Sequence, residues 1–184
     1  MKPKNFIKLI KTKRLYLKPI PKTKSMANKI FSIISTQRAH LKFMGFANMQ
    51  TPEQVYDEFI LTSANLWRSK TVANYGIFLC SNDEFIGCIS VDEISWDSAN
   101  AAIGWWIDEN YLHQGYAAEA AIGTMNALFS MGFHKLYVNT SDKNTASKKL
   151  AESLGFRKEG TLRDHWFNPN TKKYENNVVY GLIG

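Results

Sequence analysis

The stretch YLHQGYAAEA, Tyr111 to Ala120, puts a glycine and a run of alanines where a helix starts. One reading is a tight turn followed by a closely packed helix. The other is that backbone N–H groups must be reachable there by something negatively charged. The first turn of a helix has N–H groups without partners and the positive end of the helix dipole, which together make an anion site. Gly115 permits a close backbone approach, and Ala117 and Ala118 keep side chains out of the way. A phosphate fits such an entrance. It is neither of two common phosphate loops, because GxxxxGK[ST] and GxGxxG are both absent from the chain.

Before this stretch, AAIGWWID (Ala101–Asp108) has the apolar run of a buried strand. After it, Ala117–Met131 carries Ala117, Ala120, Ala121, Leu128 and Phe129 on one helical stripe. Further toward the N-terminus, strands are expected at Arg14–Lys18, Asn74–Cys80 and Phe85–Ile94. Helices are expected at Lys22–Ser35 and from Thr51-Pro52-Glu53, a good helix start, to Ser69. Toward the C-terminus come a strand at Lys135–Thr140 and a helix at Asp142–Gly155. A strand at Phe156–Leu162, the turn-rich loop HWFNPNTKK and a last strand at Tyr174–Ile183 follow. The order β-α-α-β-β-β-α-β-α-β-β describes one α/β domain, a mixed seven-stranded sheet with four helices on its faces.

Composition narrows the class. The chain has 184 residues, 45% of them apolar and 21% charged, as in a folded globular domain. No signal-type core or bilayer-length apolar run occurs, so a cytoplasmic protein without a membrane partner is expected. Cys80 and Cys88 flank one turn and fit buried thiols in that compartment. The four histidines lack metal-ligand spacing, and no metal is expected. Charge is uneven: the 12 Lys or Arg preceding Glu53 meet no acid, whereas 11 basic and 16 acidic residues follow. The basic residues within 2–42 fit contact with a polyanion such as a ribosome, or simply solvated charge. No motif marks a dedicated nucleic-acid site.

Leu112-His113-Gln114-Gly115-Tyr116-Ala117 resembles the pyrophosphate loop Q/R-x-x-G-x-G/A of the GNAT acetyltransferases, departing from it at Leu112. IGWWIDENY before it, GYAAEA within it, and Asn144-Thr-Ala-Ser147 followed by Leu154-Gly155-Phe156 after it resemble the ribosomal-protein N-acetyltransferase branch. The resemblance implies one GNAT domain over residues 1–184, a mostly antiparallel sheet parted between its fourth and fifth strands, and acetyl-CoA (coenzyme A) in the gap. It places the pantetheine arm on main-chain groups of Trp106, Ile107 and Asp108. The diphosphate then falls on the N–H groups of His113, Gln114, Gly115, Tyr116, Ala117 and Ala118, with Asn139, Asn144 and Ser147 as further cofactor contacts.

The branch's acid is a serine, which maps to Ser147. The tyrosine that many relatives carry seven residues after the Asn is Ala151 here, and the branch's frequent Glu before Ile-Gly is Ala102. Asp92, Glu93, Asp164 and His165 remain as bases, and Glu93 is taken with Ser147 as the catalytic pair. Phe43, Phe46 and Trp166 are expected to line the acceptor groove. At pH 7 an α-amine of pKa ~7.8 is roughly 14 % neutral and a lysine amine of pKa ~10.4 about 0.04 %. Without an evident strong base, the chain suits a protein N-terminus better than a lysine. A small amine (antibiotic, polyamine or amino acid) and a catalytically silent CoA-binding module are the alternatives. The chain is expected as a monomer or homodimer.

Overall fold

In the computed structural model, which describes residues Met1–Gly184, the chain opens with β1 (Ile10–Lys11) and β2 (Leu15–Pro19). Thr23 caps the first helix, α1 (Lys24–Thr36), by accepting from the Met26 N–H. A 3-10 turn, Gly45–Asn48, precedes α2, which is built of three continuous segments. Pro52–Gln54 is capped by Thr51, Val55–Leu61 is wound as a π-helix, and Thr62–Ser69 ends at left-handed Lys70. Then come β3 (Ala73–Leu79), β4 (Phe85–Ser95) and β5 (Asn100–Ile107). They are followed by α3 (Tyr116–Ser130), β6 (Lys135–Ser141) and α4 (Thr145–Ser153). A hairpin of β7 (Arg157–Asn168) and β8 (Lys173–Ile183) closes the chain.

The strands form one sheet in the order β1-β2-β3-β4-β5-β6-β8-β7. Strand alternation sends Ile89 and Val91 of β4 and Ile103 and Ile107 of β5 to the face covered by α3. Cys88 and Trp106 go to the opposite face, under α1 and α2. Gly123 lets α3 lie close to the sheet: a Cβ there would sit 2.7 Å from Thr12 Cγ2.

Two features decide where a site can form. All strand pairs are antiparallel except β5 with β6, and that pair is joined only at Asn100↔Lys135, Ala101↔Leu136 and Ala102↔Tyr137. From Ile103 onward the two strands part, as expected for the fourth and fifth strands. The second feature is a bulge in β4, where Glu93 and Ile94 stand opposite Ala101 and Glu93 takes φ 46°.

The sheet differs from the sequence expectation at both ends. Ile10–Lys11 adds an eighth strand, too short to show alternation; pairing of Ile10 with Leu17 creates it. HWFNPNTKK is mostly strand rather than loop, with the turn confined to its middle, so His165 and Trp166 belong to β7.

Candidate active site

The entrance of α3 is bare in the way its sequence suggests. His113 (φ 59°) and Gly115 (φ 78°) are both left-handed, and α3 has no side-chain cap. From His113 to Ala118 no backbone N–H donates a hydrogen bond inside the protein; the first to do so is Glu119, to the Gly115 carbonyl. Alternating left- and right-handed residues turn successive N–H groups into one concavity that suits an anion. Arg14 braces this loop from β2. Its Nη1 donates to the Gln114 carbonyl, its guanidinium lies 4.4 Å from the centroid of the Tyr116 ring, and its Nε pairs with Glu119 at 2.6 Å. Glu119 also accepts from Thr12 Oγ1 and the Arg14 N–H. Burial pushes its carboxyl pKa up, but these hydrogen bonds outweigh burial and hold it below the usual range.

Beside the loop, the parted sheet leaves one edge of β5 open. Asp108 N–H donates to the Ile86 carbonyl and its own carbonyl accepts from Tyr111 N–H, so its main chain is fully used. Trp106 is paired with Cys88 on the same, β4-facing side. This corrects the expected main-chain contacts at Trp106 and Asp108. By alternation the groups at the open edge belong to Trp105 and Ile107, neither of which has a partner in β6. His40 Nε2 lies 3.0 Å from the Ile107 carbonyl oxygen. A cleft of about 540 Å³ runs from this edge to the bare helix entrance, lined by Phe43, Trp105, Tyr111, Leu112, Ala117 and Ser147 among others.

A second cavity, about 560 Å³, adjoins it; the two share Phe43, Met44, Trp105, Trp106, Asn144 and Ser147. Ser147 is in the first turn of α4, where Asn144 Oδ1 caps its N–H, and its hydroxyl makes no hydrogen bond in the protein. Ala151 is fully buried, so the hydroxyl one turn earlier is the one that reaches both cavities. Trp106 is core, packed on Phe46 and Phe85, yet its buried indole N–H finds no acceptor. Trp105 stays partly exposed.

The second cavity has a polar floor and an aromatic roof. Asn74, Ser90, Asp92, Asn139, Ser141 and Asn177 rise from β3, β4, β6 and β8, around Gly104 of β5. Phe43, Met44, Phe46 and Phe59 cover it, and His165 and Trp166 stand at the side. Asn170, in the β7–β8 turn, donates to the carbonyls of Lys42 and Met44 and so straps the roof to the hairpin. Phe43, Phe46 and Trp166 thus line one cavity. Asn139 does not line the cofactor cleft: it belongs to this cavity and donates to the Glu93 carboxylate, a correction to its expected role. Glu93 also accepts from Tyr137 Oη. Burial, followed by the neighbouring Glu93 charge, raises the Asp92 carboxyl pKa against the lowering effect of the Ser90 hydroxyl. Asp164 is drawn away at a bulge, its N–H donating to Asn176.

Sequence reasoning missed Arg14, Asn170 and the floor apart from Asp92 and Asn139. Arg14 and Asn170 gave no signal, since their partners lie far along the chain. The floor did: Ser90 and Asp92 alternate with Ile89 and Val91 in an otherwise apolar strand, which marks polar groups on one face.

An anion-binding helix entrance beside a parted sheet, meeting a second cavity at a free hydroxyl, defines an acyl-CoA-dependent transferase. Residues 14–157 match the family model of the acetyltransferase (GNAT) domain, and the chain belongs to that family. It is an N-acetyltransferase whose cofactor is acetyl-CoA. The N-acetyltransferase YoaA of Bacillus subtilis (strain 168), itself uncharacterized, is 30% identical over 176 residues, 95% of this chain and 96% of that protein. Among solved structures, the RimL ribosomal L7/L12 alpha-N-protein acetyltransferase in complex with coenzyme A superposes with a TM-score of 0.85 at 20% identity, covering 95% of this chain and 97% of that one. The microcin C7 self-immunity acetyltransferase MccE, in complex with acetyl-CoA and AMP, superposes with a TM-score of 0.84 at 16% identity, covering 94% of each. The residues here fit the cofactor: unpartnered amides for the diphosphate, and a largely apolar cleft with an open strand edge for the arm.

Proposed function

We propose that residues 1–184 act as one domain that transfers acetyl directly to the α-amine of a protein or peptide N-terminus. The observation that carries this reading is the meeting of the two cavities at Ser147, with the amide run His113–Ala118 at the far end of one and the polar floor in the other. When bound, acetyl-CoA supplies a thioester carbon for the amine to attack and a thiolate to leave. A free N–H of the β5 edge, from Trp105 or Ile107, stabilises charge growing on the carbonyl oxygen. Ser147 gives its proton to the departing sulfur. The carboxylates at the β4 bulge, Asp92 and Glu93, stand on the amine side. The ribosomal-protein substrate described for RimL supports the choice of an N-terminus.

A small amine is the second reading, since about 560 Å³ lies within the size range of small-ligand sites. No helix is long and apolar enough to cross a membrane, in line with a cytoplasmic enzyme. The exposed Lys2, Lys8, Lys11 and Lys13 are available for a ribosome contact. Release of free thiol from acetyl-CoA, with N-terminal peptides, free lysine and spermidine as acceptors, tests the reading. Peptides should turn over fastest. Turnover with spermidine or lysine alone would favour the small amine, and coenzyme A binding without any turnover would reduce the chain to a binding module.

A further inference from the structure

The acceptor cavity holds two neighbouring carboxylates, and their surroundings set them apart. Glu93, at the positive-φ bulge position, is exposed, and its carboxylate is tied by Tyr137 Oη at 3.1 Å and Asn139 Nδ2 at 3.2 Å, both from β6. It therefore joins the bulge to the strand that has parted from β5. Asp92 is more enclosed. Ser90 Oγ donates to its Oδ2 at 2.8 Å, and Oδ1 accepts no hydrogen bond. Asp92 is paired in register with Ala102, whose side chain is too small to cover it, and Gly104, next along the same face, has no side chain and is approached by Ser90 Oγ. One carboxylate oxygen of Asp92 thus stays unengaged beside the cavity, on a rigid strand, with no cation to neutralise it.

Resting on the acetyl-transfer reading, we infer that Asp92 is the group that binds the acceptor as an ammonium ion and takes its proton, while Glu93 is a positioning residue that fixes the bulge. The acceptor class follows: a primary amine that arrives protonated and has no anionic group beside it, because Glu93 already places a second negative charge there. The protons balance. The acceptor gives one N–H proton to Asp92 Oδ1, and Asp92 passes it to water. The neutral nitrogen forms the N–C bond, the C–S bond breaks, Ser147 gives its hydroxyl proton to sulfur, and the nitrogen's second proton passes through water to restore the Ser147 hydroxyl. Burial of Asp92 supports this role, because a carboxylate whose pKa is raised is a stronger base. The other titratable groups around it are Cys88 and Glu93 on β4, Tyr137 from β6 and His165 from β7. The remaining walls present Asn74, Gly104 and Phe59, which do not titrate.

The test compares wild type, Asp92→Asn and Glu93→Gln. An N-terminal peptide amine is titrated calorimetrically into each protein saturated with coenzyme A, and kcat/KM is followed against pH. For Asp92→Asn we expect coenzyme A affinity unchanged, peptide binding at least about 10-fold weaker, and kcat/KM at pH 7 about 10²-fold lower. That deficit should shrink as pH rises to the amine's own pKa, near ~7.8, where the acceptor needs no base. Glu93→Gln should lower kcat/KM without changing the shape of the pH profile. Wild-type peptide affinity and an unchanged profile in Asp92→Asn would overturn the assignment, as would loss of coenzyme A binding or the pH-dependent deficit appearing in Glu93→Gln instead. Asp92-dependent peptide binding in a wild-type protein that never releases thiol would leave the amine site standing and sink acetyl transfer.

Discussion

Ser147 contributes to the fold through its main chain, and in the proposed reaction its hydroxyl supplies the proton, so the two roles can be separated. The N–H is capped by Asn144 and does not depend on the side chain. Ser147→Ala should therefore leave Tm and coenzyme A affinity near wild type and lower kcat by about 10²-fold, read in a thiol-release assay. Glu119 shows the opposite balance. Its folded pKa is depressed, so its stabilisation is full above the ordinary carboxylate range and is lost as pH falls through the folded value. Glu119→Gln should lower Tm at pH 7 by about 3 °C, with the gap to wild type closing in acid thermal melts. Ser147 was legible because a motif names its position. Arg14 was not, because nothing local shows that it reaches Gln114 and Glu119 a hundred residues away.

At the scale of elements, the α3 entrance is the feature read most fully from sequence. A glycine, small following residues and a preceding strand already specify an uncapped helix N-terminus at a strand's end, and the unpartnered amides follow from helix geometry. Gly115 holds φ 78°, where a β-branched side chain is strained. Gly115→Val should weaken coenzyme A binding by about 10-fold or more, measured by calorimetry, because a strain of roughly 1–2 kcal/mol falls on the loop that must keep its N–H groups aligned. The β7–β8 hairpin was less legible. Asn168, Pro169 and Asn170 announced a turn, but its length hid the strand run through His165 and Trp166, since an exposed edge strand lacks the apolar alternation that identifies a buried one.

For the whole molecule, the uneven charge is partly spent internally. Arg14, Lys18 and Lys29 pair with Glu119, Asp83 and Glu84, so basic residues of the first segment grip acidic ones of the second. The site depends on the same long-range assembly. Strands β3, β4, β6 and β8 supply the polar floor, the Leu41–Gln50 region and Phe59 of α2 supply the roof, and the Asn170 amide ties roof to hairpin. Sequence patterning gave the elements and their order, whereas the register that sets Asp92 against Ala102 arises only once the sheet is assembled. The most direct measurement is mass spectrometric mapping of a peptide that carries both a free α-amine and a lysine, after incubation with acetyl-CoA and the enzyme. The account predicts one acetyl group, on the α-amine. Acetyl on the lysine side chain, or an unmodified peptide beside intact acetyl-CoA, would contradict it.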